Sequence, residues 1–165
     1  QVIGEIDNKD GLLNDKILKI FSKNYANYLD IENSKITSNS SFSFDITKDF
    51  KIKKLKTHSK VKIDKLSYLS KSKKIKKYLP DYQDQIYLVD SLIEISYFKN
   101  NYKFEGSTNY SLKDLSDKLN FKISKLENLY NFNFDINFDK NKILIEELNY
   151  LKKINNKSNL KLVGK

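Results

Sequence analysis

Twelve lysines fall between Lys51 and Lys77, against a single acid, Asp64. The segment carries +11 in a chain whose balance is +10, so the remainder is close to neutral. Clustered ammonium groups suit one kind of chemistry: they neutralise a polyanion and release its counterions. Lys51, Lys53, Lys54, Lys56, Lys60 and Lys62 are expected to supply the main phosphate contact. Lys71, Lys73, Lys74, Lys76 and Lys77 extend it. All 31 basic residues are lysine. Lysine is a mobile point charge without the planar fork that reads guanine, so the pattern fits backbone contact that ignores base sequence. Tyr68, Tyr78, Tyr82 and Tyr87 lie in or beside the run, where rings can stack on unpaired bases. Anionic lipid headgroups would attract the same charge, but no basic amphipathic helix accompanies it.

Catalytic chemistry has little to stand on. His58, the single histidine, sits among lysines and polar residues and reads as a surface group. The four glycines are far apart, so no phosphate loop can form from them. Asp7-Asn8-Lys9-Asp10-Gly11 has the look of a calcium loop. Placing Gly11 on the loop's invariant glycine puts Ile6 and Ile17 at ligand positions, and the match fails. Without cysteine there are no disulfides, thiolate metal sites or thiol nucleophiles. The expectation is a non-enzymatic binding protein with no cofactor and no metal.

Lysine, asparagine and isoleucine dominate, and Ala26 is the only alanine. Those three are read from A/T-rich codons, which points to an AT-rich genome. Codon bias raises lysine along a whole chain, so it explains the net charge better than the clustering. The chain opens on Gln1 and has no methionine, as expected of a fragment or processed product. An intracellular or organellar location is favoured, with secretion or the cell envelope as the alternative. The longest apolar-rich stretch, 86–98, is interrupted by Asp90, Ser91, Glu94 and Ser96 and is no membrane span.

The elements that must position these residues read as follows. Leu13, Ile17, Ile20 and Phe21, continued by Tyr25 and Tyr28, predict an amphipathic helix over 14–29. Residues 33–41 read as a polar loop. Phe42, Phe44 and Ile46 alternate as a strand, and Thr57-His58-Ser59 reads as a turn. Val61 and Ile63 alternating with lysines complete a hairpin with one apolar and one cationic face. Residues 71–77 form an exposed loop or helix start. Beyond Pro80, Asp81 or Asp84 caps a helix to Phe98, though Ile93, Ile95 and Tyr97 also alternate. Ser111 caps a helix carrying Leu112, Leu115 and Leu119, and 120–122 break it. Ser124 and Glu127 fit a capping box for a second helix over 125–130. Phe132, Phe134, Ile136 and Phe138 alternate strictly as a strand, and 142–145 return beside it. Leu148, Leu151 and Ile154 suggest a last helix.

Helix, short break, helix and hairpin is the order of a winged helix-turn-helix. Lys122 and Lys125 would then lie on the outer face of the reading helix and assist the contact. The same residues carry a second resemblance. Leu112, Leu115, Ser116, Leu119, Phe121, Ile123, Leu126 and Asn131, between Tyr102–Gly106 and Ile143–Ile145, resemble a LysM module. Such βααβ units bind glycans, which implies an envelope or secreted interaction protein with a glycan or protein partner.

The sequence thus predicts an α+β protein: a helix and basic hairpin over 1–80, a winged-helix-like part over 81–155, and a loose tail over 156–165. Its expected function is binding of DNA or RNA through lysine–phosphate contacts.

Overall fold

A computed structural model describes residues 1–13, 28–31, 34–69 and 72–165. The chain is built on one antiparallel sheet. Its strands are β1 (Val2–Leu12), β2 (Leu29–Asp30), β3 (Lys35–Ile46), β4 (Ile52–Leu69), β5 (Gln85–Phe98), β6 (Asn101–Ser111), β7 (Ser116–Leu126), β8 (Leu129–Asn137) and β11 (Asn159–Gly164). They lie in the order β1-β3-β4-β5-β6-β7-β8-β11, with the two-residue β2 paired to β4. A six-residue helix, α1 (Lys73–Tyr78), and a small ribbon of β9 (Ile143–Ile145) and β10 (Tyr150–Lys152) complete the described elements.

These segments are strands because β-branched and aromatic residues recur at every second position and cover one surface. Leu119, Phe121 and Ile123 do so on β7, and Phe132, Phe134 and Ile136 on β8. Tight turns link most neighbours. Lys99 and Asn100 take positive φ between β5 and β6, and Glu127 does so between β7 and β8. The ladder is irregular between Ser43 and Asp45, and between Val89 and Leu92. Lys54 and Asp90 adopt positive φ at these irregularities, as a bulge requires of one residue. At the second one the backbone of β5 comes so close that a Cβ on Gly106 would stand 2.1 Å from the Leu92 carbonyl oxygen.

Packing is concentrated at one end. Tyr82, Tyr110, Leu112 and Phe138 are buried together, with Ile75 of α1, Leu79 at its C-terminal cap and Ile143 from β9 against them. The Tyr110 and Phe138 rings meet edge to face at 6.1 Å, and the Tyr110 hydroxyl donates to the Asn137 carbonyl. Asp117 is buried nearby and accepts from the Lys140 amide and from Asn141 Nδ2. Lys152, also buried, donates to the carbonyls of Phe138, Asp139 and Asn141. Leu13, Ile31, Ser34 and Ile63 are also buried, and the Leu13 amide donates to the Ser34 carbonyl while the Ser34 amide donates to that of Ile31. The accessible surface is 12083 Å². A compact monomer of this mass would expose roughly 8,500 Å² on the usual surface–mass scaling. The sheet is open.

The architecture overturns the α+β expectation. The winged-helix and LysM-like readings need helices over 112–130, and that segment is β7, a tight turn and the start of β8. Ser124 lies inside β7 opposite Lys103 and Asn131, so no capping box exists. The helix expected up to Phe98 is β5, the polar loop over 35–41 is β3, and the turn at 57–59 is the middle of β4. The hairpin expected to turn at 57–59 is not formed; β4 runs through those residues and pairs instead with β3 across a turn at 47–51. Residues 142–145 pair with β10 rather than with β8, and the loose tail forms β11. Instead of a last helix, Glu146–Leu148 make one 3-10 turn before β10. The N-terminal helix expected over 14–29 falls mostly on 14–27, outside the described residues; at its expected end, Leu29–Asp30 is a strand.

Candidate binding surfaces

Directly opposed residues in an antiparallel ladder point to the same side, so the register sorts the sheet into two faces. One row runs Asn8, Ser38, Val61, Ile93, Gly106, Phe121, Phe134, Leu162. The next runs Ile6, Ser40, Ser59, Ile95, Phe104, Ile123, Phe132, Gly164. A third runs Gly4, Phe42, Thr57, Tyr97, Tyr102, Lys125, Tyr130. From β5 to β11 this face is almost continuously apolar. No residue of the three rows is buried, and Phe132 is 39 % exposed, Leu162 43 % and Ile6 59 %. A second layer would bring the central rings close to full burial; among the described residues none lies over these rows, and Phe104, Phe121 and Phe134 stay half-buried. The aromatics cover one another: Tyr102 and Phe104 meet edge to face at 5.3 Å, and Phe132 lies 5.9 Å from Phe134.

The opposite face is polar. Its central row runs Asp7, Asn39, Lys60, Glu94, Glu105, Lys122, Asn133. A trough of about 1090 Å³ lies along it, lined among others by Asp7, Lys60, Lys62, Glu94, Glu105 and Asn120. Beside it His58 Nδ1 meets Ser96 Oγ at 3.1 Å, and the Lys56 ammonium stands 4.7 Å above the Phe98 ring. Acids interleave with the lysines. Lys60 lies 3.9 Å from Glu94, Lys122 lies 4.0 Å from Glu105, and Lys103 also bonds Glu105. The Lys103 hydrogen bond, helped by Lys122, holds the Glu105 carboxyl below its ordinary range.

The lysine cluster of the sequence is thereby drawn out. Lys56, Lys60, Lys62 and Lys122 share the polar face, whereas Lys125 lies on the apolar face, 5.8 Å from the Tyr130 ring centre. Lys51, Lys53 and Lys54 sit at the far end of the β3–β4 hairpin, where Lys54 bridges Asp45 at 2.9 Å. That bond lowers the Asp45 pKa and raises that of Lys54. Lys73, Lys74, Lys76 and Lys77 belong to α1, and Lys71 lies outside the described residues. Lys77 bonds Glu147, which raises the lysine pKa and lowers that of the carboxyl. From Lys54 to the end of β4 at Leu69 is roughly 50 Å at a strand's rise per residue. Twelve neighbours in sequence are therefore not one patch.

Sequence reasoning missed the acids facing the lysines and the apolar rows. The signal for the rows was present in the alternation at 93–97 and 119–123. Pairing alone brings Glu94 and Glu105 together with Lys60 and Lys122. Among the described residues no three metal-ligating side chains cluster, and no helix is long and apolar enough to cross a membrane. No family model, curated protein or solved structure matches this chain.

Proposed function

We propose that this chain is a non-enzymatic binding protein whose working surface is the apolar face of the open sheet, and that the ligand is a long hydrocarbon, such as the acyl chains of a lipid. One observation carries the reading: two rows rich in aromatic and aliphatic side chains continue from β5 to β11 and a third from β5 to β8, and no residue of them is buried by another described element. Contiguous exposed apolar surface on this scale marks a binding face, since solvent contact is otherwise unfavourable. The rows cross the strands, and four strand spacings from β5 to β11 give roughly 19 Å, about the reach of an extended acyl chain. Lys125, between Tyr102 and Tyr130 in one row, can meet an anionic headgroup. The test is equilibrium binding of a fluorescent fatty acid to the intact chain. Saturable binding is expected, weakened by Phe121→Ser with Phe134→Ser. Absence of binding, or binding indifferent to that pair, would overturn the proposal.

A second reading keeps the nucleic-acid expectation. Lys56, Lys60, Lys62 and Lys122 line one face, spaced as a flat sheet would present them to a phosphate backbone. Each lysine–phosphate contact adds about −0.9 to the log–log salt slope on duplex DNA. The interleaved Glu94 and Glu105 oppose it. Salt-sensitive binding of a DNA duplex or single-stranded RNA, with no uptake of fatty acid, would favour this reading over the first.

A further inference from the structure

Among the described residues the two outer strands of the sheet, β1 and β11, are open edges, and neither carries proline or a bulge over residues 2–7 and 159–164. Unblunted edges present free backbone donors and acceptors to another strand. Two of the most exposed apolar residues of the protein sit on them. Ile3 and Val163 are each 75 % exposed, and both project from the polar face, where nothing in the sheet accounts for them.

We infer that β11 of one copy pairs antiparallel with β1 of a second copy, in the register that sets Val163 opposite Ile3. That single choice fixes every other pair. Lys161 falls opposite Glu5 and Asn159 opposite Asp7 on the polar face. Leu160 falls opposite Ile6 on the apolar face, and Leu162 opposite Gly4. The Phe42 ring already lies over Gly4, so Leu162 would pack on that ring. Sliding β1 by two residues either way places Lys161 opposite Ile3 or leaves Val163 opposite Glu5, and the apolar pair is lost. Opposite charges and matched apolar residues facing each other across strands are what stabilises a ladder. Like faces meet like faces, so the apolar rows of one copy run on into the next. The contact joins two different edges, so it propagates head to tail instead of closing on itself as a two-fold dimer. The inference rests on the edges and stands apart from what the apolar face binds.

Sedimentation velocity over a concentration series, on the whole chain, tests it. The wild type should show species heavier than the monomer. Lys161→Glu and Glu5→Lys should each shift the distribution to monomer, because each sets like charges opposite one another. An equimolar mixture of the two variants should regain the heavier species, since every junction between unlike copies again joins Lys to Glu. A purely monomeric wild type, unaffected single variants, or a mixture that stays monomeric would each overturn the inference. Because the chain has no cysteine, a second measurement is independent of charge: Ile3→Cys combined with Val163→Cys should give an oxidised ladder of linked copies. Absence of that ladder would also overturn the proposed register.

Discussion

Where β5, β6 and β8 run under α1 and β9, Tyr82 is 1 % exposed and Leu112 2 %. Further along the sheet Phe104 on β6, Phe121 on β7 and Phe134 on β8 are only half-buried. The closed end has a core, buried polar groups with partners, and a lysine folded inward onto three carbonyls. The open part has ladder hydrogen bonds, cross-strand rings and ion pairs in solvent. Core burial stabilises strongly, whereas exposed charge pairs contribute little. The strands thus differ along their length: one end fixes the sheet, and at the other the apolar side chains are only half-buried among the described residues.

The most damaging substitution should lie in the closed end. Leu112→Ala is expected to cost about 3 kcal/mol in urea unfolding, the usual cost of emptying a buried leucine site. A loss no larger than that of an exposed leucine would mean the closed end is not a core. Lys152→Met should follow, at about 2 kcal/mol, because the carbonyls it satisfies would be left buried and unpaired. Lys60→Met, a substitution of the same shape on the open face, serves as the silent control.

Phe121→Ala in the open part should cost about 1 kcal/mol, since a half-buried ring loses only part of its transfer free energy. If its cost equals that of Leu112→Ala, something covers the apolar face and the contrast between the regions fails. Reversal of Lys53, Lys54 and Lys56 to Glu should leave the melting temperature nearly unchanged. Those side chains lie at the solvent-exposed hairpin end. A large drop would show the hairpin to be packed. The same triple variant should weaken any salt-sensitive binding of duplex DNA.

The smallest effect concerns acid. Glu105 has its pKa lowered from 4.5 by Lys103 and Lys122. A lowered carboxyl contributes stability above its unfolded value, and that contribution is lost as pH falls through the folded value. Melting temperatures should therefore decline slightly below about pH 4.5, and Glu105→Gln should flatten this part of the profile. A variant with the wild-type acid slope would leave Glu105 unpaired in solution.

The local alternations are legible in the chain alone. Phe42 with Phe44, Phe132 to Phe138, and the apolar–cationic alternation around Val61 and Ile63 each specify a strand because the period of two leaves no other way to group them. The excess of lysine and the absence of thiol chemistry are legible there too. Tertiary structure decided the rest. Leu112, Leu115 and Leu119 fit a helix, and Leu119, Phe121 and Ile123 fit a strand; the choice went to the strand because β6 and β8 flank it and supply hydrogen bonds on both sides. Ile86, Val89, Ile93 and Tyr97 were resolved the same way between β4 and β6. Whether the lysines form one patch was likewise undetermined until β4 was seen to run its full length with Glu94 and Glu105 across from it, because cross-strand partners are set by pairing between distant segments and not by neighbours in the chain.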